Sequence, residues 1–152
     1  VEDKTGAVDD WDQHWSEFGE TAERAPGLRW RHRLILSLLR LPADRPAQVL
    51  EIGSGQGSFA LDFLRANPGT RFVGLELSQV GVDKAASRVP SATFLQRDLC
   101  QPVRNGDVPA GFAANVAVCS EVLEHVDDPV LLLRNAAAYL ETGCSLVVTV
   151  PG

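Results

Sequence analysis

The chain has 152 residues, enough for one domain with a buried core. Its 45% apolar and 22% charged content is that of a soluble globular protein. A net charge of −6 argues against a nucleic-acid partner, because phosphate binding needs concentrated Lys and Arg. No apolar stretch reaches membrane-spanning length, since Leu34 to Leu41 is interrupted by Arg40. The polar start Val-Glu-Asp-Lys-Thr shows no signal-peptide pattern, so a cytoplasmic protein with no membrane partner is expected.

Residues 1–8 read as a flexible tail. A helix is expected over 9–20, with Trp11, Trp15 and Phe18 on one face, either docked on the core or closing a ligand cleft as an aromatic lid. Pro26-Gly27 breaks the chain. A second helix, about 28–41, is expected to bury Trp30, Leu34, Ile35, Leu38 and Leu39 and to leave Arg29, Arg31, His32 and Arg33 as a solvated basic cluster. Pro42 and Pro46 then frame the entry to the first strand. These features divide the chain into an N-terminal part, 1–47, and a ligand-binding core, 48–152.

The run Val-Leu-Glu-Ile-Gly-Ser-Gly-Gln-Gly-Ser-Phe, 49–59, organises that core. A mainly apolar run, Gln48 to Ile52, leads into Gly53, Gly55 and Gly57, and a helical pattern follows with Phe59, Ala60, Phe63 and Leu64 on one face. This is a strand, a tight turn and a helix N-terminus, whose free N–H groups face a ligand. The dinucleotide fingerprint would need glycine at 58, where Ser58 stands. Glu51 beside the turn would repel a pyrophosphate and suits a ligand carrying positive charge. A structural turn, or a nucleotide site, in another α/β domain stays open on these residues alone.

Asn67-Pro68-Gly69 stops the helix. Residues 71–77 read as a buried strand ending in Glu76, and Ser78 caps a helix over 79–88. Thr93 to Arg97 is a third strand, followed by Asp98, and 100–112 is loop. Ala113 to Cys119 is a fourth strand, apolar apart from Asn115. Asp128-Pro129 starts a helix that carries Val130, Leu131, Leu133, Ala137 and Leu140 and ends near Gly143. Ser145 to Val150 is the fifth strand. Cys100, Cys119 and Cys144 have no paired spacing and lie apart on the sheet, so they read as reduced thiols.

Strands alternating with helices, and strands apolar throughout, indicate an α/β, doubly wound, Rossmann-like parallel sheet of strand order 3-2-1-4-5 with flanking helices. Ligands then sit at the carboxyl ends of the strands. Those ends bring together Glu51 with its glycines, Glu76, Asp98 and Ser120-Glu121. Glu76 is placed to accept the hydroxyls of a ribose, or serves only as a charge at a helix start. Asp98 could accept an adenine amino group, with Leu99 against the ring, or is a turn residue.

Residues 48–152 resemble the core of the class I S-adenosylmethionine-dependent methyltransferases, of the ubiquinone- and menaquinone-biosynthesis type. The resemblance rests on Val-Leu-Glu-Ile-Gly-Ser-Gly-Gln-Gly, Gly-Leu-Glu-Leu-Ser, Arg-Asp-Leu and Cys-Ser-Glu-Val-Leu-Glu-His-Val-Asp-Asp-Pro in that order. It implies a site for S-adenosyl-L-methionine built from Glu51, Gly53, Ser54, Gly55, Gly57, Glu76, Leu77, Asp98, Leu99 and Ser120, and methyl transfer to a small-molecule acceptor. Some relatives use Glu121, Glu124 and His125 to hold a divalent ion. Only three ligands are visible here, so no metal is expected. His125 is a candidate general base, against a structural role at the strand–helix junction. The family has seven strands, so the resemblance implies a truncated seven-stranded fold whose fifth strand, 145–150, is an open edge suited to self-association. The alternatives are a non-catalytic S-adenosylmethionine-binding module and a nicotinamide-dependent oxidoreductase.

Overall fold

A computed structural model describes residues 10–151; the expected tail at 1–8 lies outside the described residues. Helices α1 (Trp11–Arg24) and α2 (Pro26–Leu38) precede β1 (Gln48–Ile52) and α3 (Ser58–Ala66). Then come β2 (Arg71–Glu76), α4 (Gln79–Arg88), β3 (Thr93–Gln96), β4 (Ala114–Ser120), α5 (Pro129–Ala136) and β5 (Leu140–Thr149). The five strands form one parallel sheet of order β3-β2-β1-β4-β5, as the pattern of crossovers predicts.

Alternation along the strands splits the core into two layers. Val49, Phe72, Phe94, Val116 and Val118 face α2, α3 and α4 through Ile35, Phe59, Phe63, Val82 and Ala85. Leu50, Ile52, Val73, Leu75, Ala117 and Cys119 face α5 and the 97–113 loop through Leu132, Ala136, Tyr139, Leu99 and Phe112. Asn115, the polar interruption in β4, is buried and bonded at both its amide oxygen and its amide nitrogen. It donates to Pro46 O at 3.1 Å and accepts from Gln48 N–H at 3.0 Å, fixing the entry to β1. Both expected caps are present: Ser78 Oγ accepts from Gly81 N–H at 3.0 Å and Asp128 Oδ1 from Leu131 N–H at 2.9 Å. The cysteines are unpaired, and burial pushes the Cys119 thiol up to about 12, with the Glu124 charge adding to it. Among the described residues no helix is long and apolar enough to cross a membrane.

Three expectations need correction. Helix α2 starts at Pro26, which fits the first turn of a helix, so Pro26-Gly27 opens an element where a break was expected. Its inward stripe is the buried His32 and Ile35 with half-buried Leu28 and, just past its end, Leu39, while Trp30 is 67% exposed and Leu38 is also exposed. His32 therefore leaves the basic cluster and joins the core face. The last helix is shorter than its apolar pattern. It stops at Ala136, tightens through 137–139, and buries Tyr139 in the second layer. Its inward face is Leu132 and Ala136, and Val130 and Leu131 are exposed. Strand β5 then begins at Leu140, and residues 141–144 bulge between the pairs Ala114–Leu140 and Val116–Ser145. Gly143, at φ +85°, makes that bulge instead of ending a helix.

Candidate functional site

The turn after β1 is held from two sides. Gly53 and Ser54 donate to Leu75 O at 2.8 and 3.0 Å, and Gly57 N–H donates to Ser54 O at 2.9 Å. Gly55 N–H donates to Glu76 Oε2 at 2.8 Å, and the other oxygen of Glu76 accepts from Ser78 N–H at 3.0 Å. Glu76 is thus a buried brace joining the glycine turn to the start of α4. Each carboxylate oxygen keeps acceptor capacity beyond that one bond. At Gly55, φ is +51° and a Cβ would lie 2.7 Å from the Trp15 indole, so backbone angle and space both demand glycine. A Cβ at Gly53 would strike Val122 at 2.3 Å. Gly57 packs on Ala85 of α4 and borders neither of the two cavities described next.

Two cavities open at the carboxyl ends of the strands. The first, about 700 Å³, is lined by Glu51, Gly53, Ser54, Gly55 and Ser120 and roofed by α1 and α2. The second, about 480 Å³, is lined by Glu76, Leu77, Asp98 and Leu99. Trp11, Trp15, Gly53, Glu121 and His125 border both. The expected site residues therefore gather at one end of the sheet, Gly57 apart, and divide into two groups with the α1 tryptophans between them.

Glu51 is 5% exposed, and its Oε2 has no hydrogen-bond partner. Burial, with the Glu76 charge second, holds its carboxyl well above the usual carboxylate range. The Trp15 indole N–H is also buried and unpartnered. Asp98 Oδ1 accepts from Cys100 N–H at 2.8 Å, a turn contact that leaves it exposed at the second cavity, beside the buried Leu99. Ser120 Oγ donates to Thr149 Oγ1 at 2.7 Å, and Thr149 donates on to Glu121 at 3.1 Å. Glu121 takes φ +56°, a conformation rare outside glycine, and its other oxygen lies 3.5 Å from Arg31. His125 packs edge-on to Trp11, with ring centroids 5.1 Å apart. Glu124 borders neither cavity, and among the described residues no group of three His, Cys, Asp or Glu is arranged to hold a metal.

Helix α1 lies over this end of the sheet through polar contacts that the sequence does not announce. Asp12 accepts from Ser78 Oγ at 2.5 Å and Val80 N–H at 3.2 Å, Lys84 donates to Trp15 O, and Gln56 donates to Gly19 O at 2.6 Å. Glu23 pairs with Arg88 and accepts from Ser58 Oγ at 3.2 Å. Phe18, expected on the docked face, is 52% exposed at the edge of the first cavity. Sequence reasoning also passed over His32 and Phe59 as cavity walls. The stripe Leu28, His32, Ile35, Leu39 was the signal available for His32, since a polar residue at a core position of a helix is there for a reason.

Comparison with known proteins agrees with this geometry. A family model described as a methyltransferase domain matches residues 25–152. A curated tRNA (guanine-N(7)-)-methyltransferase of Aquifex aeolicus (strain VF5) is 35% identical over 51 residues, 34% of this chain and 17% of that protein. Among solved structures, DesVI of Streptomyces venezuelae superposes with a TM-score of 0.70 at 22% identity, over 91% of this chain and 57% of its own. Magnesium protoporphyrin IX methyltransferase (ChlM) from Synechocystis PCC 6803, solved with bound SAM, gives a TM-score of 0.62 at 18% identity, over 90% of this chain and 75% of its own. The chain thus spans a small part of the curated relative and a little over half of DesVI.

Proposed function

The chain belongs to the methyltransferase-domain family, and on that premise we propose that it binds S-adenosylmethionine across the two cavities and passes the methyl group to a small-molecule acceptor. The observation that carries this reading is Glu51, a buried carboxyl with an unsatisfied oxygen beside a turn that only glycine can make. A cationic ligand would relieve that burial by pairing with the carboxylate. The cofactor carries an ammonium and a sulfonium, and a pyrophosphate would be repelled.

The amino-acid half of the cofactor would lie in the first cavity, against Glu51, Gly53, Ser54 and Gly55, with Ser120 at its edge. The adenosine half would lie in the second, with Glu76 accepting ribose hydroxyls, Asp98 accepting the adenine amino group, and Leu77 and Leu99 packing on the ring. Trp15, whose N–H lacks an acceptor, borders both halves. Residues 1–47 would act as the cover and 48–152 as the binding core. When bound, the cofactor supplies an electrophilic methyl group on sulfur. The chain supplies orientation and exclusion of water. His125, beside Trp11 where the cavities meet, stands as a candidate proton acceptor.

Thermal-shift titration tests the reading. S-adenosylhomocysteine should raise the melting temperature and NADH should not. A shift with NADH and none with S-adenosylhomocysteine would overturn it.

A further inference from the structure

The first cavity holds a titratable pair supplied by helices instead of strand ends. His32 of α2 is 6% exposed, and its Nδ1 lies 2.7 Å from Oδ2 of Asp62 on α3. Its ring meets Phe59 nearly edge-on, with centroids 5.4 Å apart. His32 and Phe59 line the cavity, whereas Asp62 stands behind the ring and does not. The carboxylate selects the tautomer with the proton on Nδ1, which leaves Nε2 as an acceptor. Among the described residues Nε2 has no hydrogen-bond partner, and it is not sealed from solvent. A tether between α2 and α3 needs only the bond to Asp62, which an asparagine or serine could make. A second ring nitrogen left open beside a cavity is what a base requires.

We propose that His32, held by Asp62, takes the proton of the methyl acceptor, and that the acceptor is a neutral phenol or alcohol. The proposal rests on the cofactor reading above. A neutral amine attacks with a lone pair it already has, whereas a hydroxyl becomes a good nucleophile by losing its proton. Beside its charged and polar residues the cavity presents Phe59, which meets the His32 ring, with Ile35, Leu28, Trp15 and Phe18, an apolar share that suits an uncharged ring. Of the other titratable groups lining this cavity, Asp10 and Glu17 bond Gln13, and Glu23 pairs with Arg88. His125, the acceptor candidate named above, sits against Trp11 at the border with the second cavity, so that His32→Gln separates the two histidines. Glu51 is committed to the cationic end of the cofactor in the reading above, Glu121 is paired with Arg31, and the His14 ring on α1 packs against those of Trp11, Trp15 and Phe18. In the step, the acceptor oxygen bonds to the methyl carbon as the methyl–sulfur bond breaks, and the bonding pair stays on sulfur to leave S-adenosylhomocysteine. The hydroxyl proton passes to His32 Nε2, the imidazolium is held against the Asp62 carboxylate, and the proton later leaves to water.

The test uses p-nitrophenol, which ionises near neutrality and absorbs at longer wavelength as the phenolate. The full-length protein, saturated with S-adenosylhomocysteine, is titrated with it at a pH where the free probe is mostly neutral. Wild type should bind the probe as phenolate. His32→Gln should bind it as the phenol, with phenolate affinity about tenfold lower for want of one charge-assisted hydrogen bond. Asp62→Asn should lie between, because an asparagine orients the ring but does not stabilise its charge. S-adenosylhomocysteine affinity, measured by calorimetry, should be the same in all three proteins. Absence of probe binding, identical spectra in the three proteins, or loss of S-adenosylhomocysteine affinity in both variants would overturn the proposal. If wild type fails to bind S-adenosylhomocysteine, the cofactor reading falls instead, and the probe spectra of the unliganded protein decide on His32 by themselves.

Discussion

Glu51 costs the unliganded fold stability, and pH should expose that cost. Its carboxyl titrates well above 4.5 in the native state, so the native protein keeps a proton that the unfolded chain loses. Stability should therefore fall as pH rises from the ordinary carboxylate range through the raised native value, then level off. Glu51→Gln removes the ionisation. Its melting temperature should exceed wild type above that window and match it below, while affinity for S-adenosylhomocysteine falls. A variant that melts below wild type at high pH would show that the carboxylate is already compensated. Glu76 is braced where Glu51 is not, because both its oxygens accept backbone N–H bonds. Glu76→Ala should lower the melting temperature and weaken S-adenosylhomocysteine binding together, with each charge-assisted bond on the order of 1.5–3 kcal/mol. Unchanged affinity by calorimetry would remove Glu76 from the site. Both carboxylates were legible in the sequence as strand-end acids. Their different burdens were not, because they depend on the fold's neighbours as well as on sequence: Gly55, 21 residues away, braces Glu76 together with nearby Ser78, and among the described residues nothing braces Glu51 Oε2.

Helix α1 is anchored at its first turn by Asp12, whose carboxyl is held below its usual value by the Ser78 hydroxyl first and the Val80 N–H second. Lowering a native carboxyl makes its contribution present above the ordinary value and lost as pH falls through the native one. The protection of amides 13–15, measured against their intrinsic exchange rate at each pH, should therefore fall on acidification. Asp12→Asn should show the low protection already at neutral pH, with β1 and β2 unaffected. Exchange that is uniform along α1 in the variant would mean that the helix moves as one piece. Elements like α1 test how far sequence periodicity reaches. The tryptophans announced the helix, yet its docking is mostly polar, through Asp12, Lys84, Gln56 and Glu23, and polar anchors have no period. The face of α2 was misread because His32 was grouped with its arginine neighbours, when its partner Asp62 makes it a core residue. The last helix was overextended because Ala137 and Leu140 continue a helical pattern. Pairing of Leu140 with Ala114 and the burial of Tyr139 end it sooner. Strands and their order were read correctly because a doubly covered parallel sheet needs long apolar runs, which few other structures need.

At the scale of the molecule, the sheet is covered unevenly. Strands β1, β2 and β4 are buried almost throughout, but β5 alternates, with Leu146 and Val148, and Val150 just past its end, exposed. Among the described residues β5 pairs only with β4, so its far side presents open N–H and C=O groups beside an apolar face. The described part of β5 carries no lysine or proline, and its bulge at 141–144 lies at the start, leaving 145–149 regular. Such an edge recruits another strand. The 152-residue chain by itself is accordingly expected to self-associate through 145–149 as concentration rises. Val148→Lys places a charge on the exposed face, where a docked strand would have to bury it, and should shift sedimentation velocity profiles toward monomer. Val148 points away from the Thr149–Ser120–Glu121 chain, so S-adenosylhomocysteine affinity should not change. A wild-type chain that stays monomeric at high concentration, or a variant that associates as wild type does, would show that this edge is not the contact.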